Sequence, residues 1–150
     1  MAKHDMKSNT VIAKAIQATL SGTTPSKGNI VDTLGYEAVT FCFMTGTVTD
    51  AGTASGFSFE IQESDTTVDG AFTAVADADL VGLESALTVT LDTDDGVPSG
   101  VIGYVGAKRY VRAVVTGTTL TDAVINGIAV LQRPDVAPPA DQTAANIAAT

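Results

Sequence analysis

The sequence predicts an all-β fold: an antiparallel β-sandwich or jelly-roll-like barrel with extended N- and C-terminal arms. Three observations predict it. Short segments alternate apolar and polar residues with the period of two that marks a half-buried strand. Clusters of Gly, Asp and Thr separate them, and no segment sustains a helical period.

Taken in chain order, residues 1–9 are polar and read as an N-terminal arm. "NTVIAKAIQATL", residues 9–20, fits helix or strand; the Ile12/Lys14/Ile16 alternation and the terminal Gly22 favour strand. "YEAVTFCFMTGTV" is a longer strand with Val39, Phe41 and Phe43 on one face. "GFSFEIQES" puts Phe57, Phe59 and Ile61 opposite Ser58, Glu60 and Gln62. "VADADLVGLE" suits a single helical turn, and "SALTVTLD" sets Leu87, Val89 and Leu91 opposite Thr88 and Thr90, as a strand would.

Residues 101–105 and 108–117 add two strands, and "DAVINGIAVL", residues 122–131, is apolar on both faces and reads as a central strand. "TDAG", "TVDG" and "TDDG" tolerate positive φ and read as turns. About eight strands result, with no fixed-period repeat. The core drawn from them includes Phe57, Phe59, Ile61, Leu87, Val89, Val111, Val115, Ile125 and Ile128. The body spans residues 10–133. Residues 134–150, with three of the five prolines and an Ala-rich end, read as an extended C-terminal arm.

The 150 residues suit one domain, and a chain of this size can bury a core without disulfides. Its one cysteine, Cys42, lies in an apolar run and reads as a small buried hydrophobe. The net charge of −9 opposes binding to nucleic acid and to anionic lipid. No apolar stretch approaches the ~18 residues of a membrane span, and the polar start has no signal-peptide core. These features point to synthesis in a cytoplasm without secretion.

Reactive constellations are missing from the pattern. The single histidine, His4, lies in the polar N-terminal segment, far from any nucleophile pattern, and His4 with Cys42 makes no zinc set. "GVIGYVG" lacks the helix start and Lys-Thr pair of a phosphate loop. "DTDDG" fails as a calcium loop, because from Asp92 the fifth position is already Gly96 and the twelfth is Gly103. Nothing singles out a carboxylate pair, and no tryptophan offers a sugar platform. We therefore expect no catalytic residue, no cofactor and no metal.

One segment stands against the charge of the whole. "IGYVGAKRYVRAVVTG" holds Lys108, Arg109 and Arg112, three of eight positive charges, inside a β pattern. From Asp50 to Asp95 there are eleven acidic residues and no basic one. Val111, Ala113 and Val115 share the core face, so Lys108, Tyr110 and Arg112 should point outward. There they can pair across strands with carboxylates such as Glu60 or Glu63, while Arg109 reaches solvent at the strand's start.

"IGYVGAKRYVR", preceded by "FEIQESDTTVDGAFTAVADADLVG" and "DTLGYEAVTF", resembles head decoration (cement) proteins of tailed double-stranded DNA bacteriophages. The resemblance covers about residues 30–132. It implies a non-enzymatic virion protein on the capsid exterior, with the major capsid protein as partner and self-association on the lattice, and no role for nucleic acid or membrane. It transfers no catalytic residue and leaves both ends uncovered. The contact residues expected at those ends are Lys3, Lys7, Arg133, Pro134, Pro138 and Pro139. A head–tail joining or tail-tube protein is the nearest alternative, and a host-surface or carbohydrate-binding β-sandwich the next.

Overall fold

A computed structural model describes residues 9–49, 56–94, 100–118, 122–136 and 139. Among them ten strands form two antiparallel sheets packed as a sandwich. The strands are β1 (Thr10–Ser21), β2 (Ser26–Lys27), β3 (Val31–Asp32), β4 (Tyr36–Thr49) and β5 (Phe57–Ser64), then β6 (Thr73–Ala74), β7 (Leu80–Val81), β8 (Gly100–Tyr104), β9 (Tyr110–Gly117) and β10 (Asp122–Pro134). The first sheet runs β1-β10-β4-β8-β7, and the second runs β2-β9-β5-β6 with β3 also on β9.

The core lies between the sheets. β4 and β5 face each other through their alternate phenylalanines: Phe43 meets Phe59 at 4.3 Å between ring centroids, Phe41 stacks on Phe43 at 6.0 Å, and Phe57 meets Phe59 edge-on at 5.9 Å. Residues 9–20 form a strand, as the alternation suggested. Its alternation breaks at Ala15, where the β1–β10 register shifts between Lys14 and Ile16. This bulge turns Ala13, Ala15 and Ile16 all inward and leaves Ile12 exposed. The freed Ala15 carbonyl accepts Asn29 N–H at 2.7 Å, while Gly28 N–H donates to Ala113. The segment between β2 and β3 thus straps the edge of one sheet to the other. Position 28 must be glycine, because a Cβ there would sit 2.3 Å from the Ala15 oxygen.

Several expectations need correction. "SALTVTLD" is not a strand: Glu84–Leu87 is a 3-10 turn, and only Val89 bridges to β5, at Phe57. Leu87 and Val89 are still buried, but Leu91 is exposed. The edge of β5 there is already used, since Glu84 accepts Ile61 N–H and Val75 donates to the Ile61 carbonyl. The helical turn expected over residues 75–84 is a 3-10 turn at Asp77–Asp79, followed by β7. "TVDG" closes with the 3-10 turn Asp69–Ala71. "TDAG" and the end of "TDDG" lie outside the described residues. Ile128 does not join the core; it is 40% exposed on the outer face of the first sheet. Cys42 shares that face and is half-buried, so burial pushes its thiol up only from partial desolvation. Among the described residues no helix is long and apolar enough to cross a membrane.

Candidate functional site: the cation cluster of residues 108–112

β9 is flanked by β5 on one side and by β2 and β3 on the other, and is the central strand of the second sheet. It is also covered on both faces. Val111, Ala113 and Val115 face the sandwich core, and Arg112 and Val114 on the opposite face are buried too. What covers Arg112 is the loop that follows β5. The expected direction of Arg112 is right, but its expected exposure is wrong: only 2% of the residue meets solvent.

Its guanidinium is held in a fixed fork. Nε and Nη2 donate to Gln62 Oε1 at 2.9 and 2.8 Å, Nη1 donates to Asp69 Oδ1, and the plane lies 4.2 Å over the Phe72 ring. Burying a charge is tolerable only with such partners. Gln62 is the residue opposite Arg112 in the β5–β9 register. Asp69 comes from the 3-10 turn and also accepts Lys27 Nζ of β2 at 2.5 Å. The hydrogen bonds from Lys27 and Arg112 hold the Asp69 carboxyl below the usual carboxylate range.

The other two cations are satisfied the same way. Lys108 Nζ pairs with Asp65, whose hydrogen bond raises the lysine's affinity for its proton. Arg109 makes a two-pronged bond to Asp32 of β3, Nε to Oδ1 at 2.9 Å and Nη2 to Oδ2 at 2.7 Å. Partial burial of Asp32 opposes ionisation, but Arg109 and the Leu34 N–H outweigh it and leave the carboxyl below its usual range. The acids used are Asp32, Asp65 and Asp69. The expected cross-strand partners Glu60 and Glu63 take other roles.

Glu63 accepts Tyr104 O–H at 2.7 Å, and the same tyrosine oxygen accepts Lys108 N–H at 2.9 Å. Burial, reinforced by the Glu63 carboxylate, pushes the Tyr104 hydroxyl well above its ordinary pKa. The turn carrying Lys108 therefore folds over the Tyr104 ring. Gly106 permits this, since a Cβ there would come within 2.6 Å of the ring. Beside Tyr104, a cleft of about 110 Å³ opens between Thr33, Tyr36, Glu37 and Gly106. It is smaller than the roughly 300 Å³ at which small-molecule sites begin.

The hydroxyl that stands beside a carboxylate in this arrangement is that of Tyr104, on Glu63, and only 4% of the tyrosine meets solvent. Among the described residues five carboxylate–cation pairs tie segments distant in sequence to one another. Among the described residues no three His, Cys, Asp or Glu side chains gather as a metal set. In the "DTDDG" turn, Asp94 Oδ2 instead accepts the N–H of Leu91 at 3.2 Å, so this carboxylate closes its own turn.

Of the contact residues expected at the chain's ends, Lys3, Lys7 and Pro138 lie outside the described residues. Arg133 pairs with Glu37 at 2.7 Å, at the end of β10, with its backbone at φ 55. Pro134 is the last residue of β10, opposite Tyr36, so both belong to the sandwich body. Pro139 is half-buried.

Compared with known proteins, the chain matches no family model, and no curated protein matches it.

Proposed function

We propose that this chain is a non-enzymatic structural protein of a tailed bacteriophage virion. It adds to the outer surface of an assembled capsid and stabilises it. The observation that carries this reading is the resemblance to cement proteins, most specific over residues 59–82 and 102–112, together with the way those two stretches meet. They are separated in sequence, yet several contacts join one to the other: Arg112 to Gln62 and Asp69, Lys108 to Asp65, Tyr104 to Glu63, and the pairing of β7 with β8. The resemblance extends over about residues 30–132, and contacts between its most specific stretches are what a shared architecture would leave. A shell-binding protein needs a rigid body and repeated contacts rather than a reaction centre.

In this reading the β body is the main mass, the major capsid protein is the partner, and residues 1–9 and the C-terminal segment after Pro134 act as clamps. Association costs several kcal/mol before net affinity appears, so a single small contact holds weakly. A lattice supplies many contacts, and an arm reaching a second subunit raises the effective concentration. The test is the copy number and location of this chain in purified particles. The reading expects many copies on the capsid exterior, and fewer after deletion of residues 135–150, which leaves β10 whole. A chain found only at one vertex or in the tail would replace it with a head–tail joining or tail-tube role.

A further inference from the structure

The register of the first sheet brings a set of apolar side chains together on its outer face. Ile12, Val130, Thr40, Gly103 and Val81 lie side by side across all five strands. The next row is Lys14, Ile128, Cys42 and Val101, and the row after it is Gln17, Asn126 and Met44. Ile12, Val101, Val81 and Met44 are each more than half exposed, with Ile12 at 63% and Val101 at 61%. From the Ile12 row to the Val124 row the outward positions of these strands carry one charge, Lys14, and Asp122 lies in the row beyond, in a chain of net charge −9.

We infer that this face is an interface between two copies of the chain, packed sheet against sheet about a two-fold axis. Three arguments favour a second copy over another occupant. First, β10 is apolar on both faces, with Ile125, Ala129 and Leu131 inward and Val124, Ile128 and Val130 outward. That pattern belongs to strands covered on both sides, and among the described residues only one side is covered. Second, the electrostatics suit like meeting like. A strongly acidic chain can approach itself only through surface free of its own acids, and this patch has none among the described residues. A basic partner would instead call for acids in the patch. Third, the size fits. With strands about 4.8 Å apart and about 3.4 Å per residue, the face measures roughly 600 Å², so two faces would bury about 1,200 Å². That is the lower bound of specific interfaces and predicts a dimer that dissociates on dilution.

The inference goes beyond the capsid reading and does not depend on it, because it is tested on the isolated chain. Sedimentation velocity across a concentration series should show the 15.2 kDa chain passing from monomer to a species of twice that mass. Added salt should strengthen the association, since it screens repulsion between the acidic bodies. Ile128→Lys and Val101→Lys should each weaken the dimer by about a hundredfold or more, because each buries an unpaired charge. Circular dichroism and thermal melting check that both variants are folded, and Val101, at 61% exposure, is expected to accept lysine without unfolding. Val68→Lys, an exposed apolar residue beside the Asp69–Ala71 turn, should leave the dimer unchanged. A wild-type chain that stays monomeric at every concentration, a dimer that survives both substitutions, or a dimer broken equally by Val68→Lys would each overturn the inference. Capsid decoration would stand or fall separately, on particles.

Discussion

The two sheets finish their outer faces in opposite ways. The second sheet turns Arg112 outward and then buries it, drawing the loop after β5 across it through Asp69, Gln62 and Phe72. The first sheet turns Ile12, Ile128, Val101 and Met44 outward and leaves them exposed. The usual association of charge with surface and hydrocarbon with core is thus inverted at these positions. The difference is one of coverage. A loop of the same chain closes one face, and nothing among the described residues closes the other. Residue type alone therefore misjudges the energetic role of both Arg112 and Ile128.

The largest expected effect sits between the sheets, where both depend on the same contact. Phe59→Ala removes a ring that meets Phe43 and Phe57, and should cost about 3–5 kcal/mol in chemical denaturation. A loss under about 1 kcal/mol would mean that the sheets do not pack through these rings.

Next is Arg112→Met, which keeps much of the side chain's length and removes its fork. It leaves Asp69 and Gln62 without their buried donor, and should cost about 2–3 kcal/mol. Asp69 is partly exposed and can recover water, which keeps the cost below that of a fully buried ion pair. Ile128→Ala, on the bare face, should cost the isolated monomer less than about 1.5 kcal/mol, because the side chain already meets water. An isoleucine that mattered more than the arginine in this pair of melts would reverse the comparison.

The covered face should also be the acid-sensitive one. Asp32 and Asp69 have carboxyls below the ordinary aspartate value of 3.8, so their pairing stabilises the fold above that value and is lost as pH falls below it. Glu84 runs the other way. Burial raises its pKa above the ordinary 4.5, so it favours the fold while protonated and weakens it as pH rises through that raised value. Melting temperature followed downward from about pH 5 should therefore drop most steeply below about pH 4. Asp32→Asn should flatten that drop, and Glu84→Gln should leave it in place. A drop of the same depth in Asp32→Asn would place the acid sensitivity elsewhere.

Much of the fold was legible because its strands alternate cleanly. Phe57, Phe59 and Ile61 declare a face by spacing alone, and so do Val39, Phe41 and Phe43. The failures share a physical cause: they depend on contacts distant in sequence. "SALTVTLD" alternates like a strand, but the β5 edge it would join is already occupied by Glu84 and Val75. Arg112 was placed on the correct face, but that Asp69 and Phe72 fold back over it is not written in local spacing. The two-sided apolarity of β10 was visible and correctly marked a central strand. It could not say which of its faces the second sheet would cover, and so Ile128 was assigned to the core. The cation cluster was legible as residues and not as partners: Asp32, Asp65 and Asp69 are supplied by β3 and the loop after β5.

The contrast between the faces is tested most directly by hydroxyl-radical footprinting, read residue by residue at low and high protein concentration. The account predicts that Met44, Val101 and Ile128 lose reactivity as concentration rises, while Val68 on the other side of the sandwich keeps its own. Reactivity at Met44, Val101 and Ile128 that stayed constant across the series would contradict it.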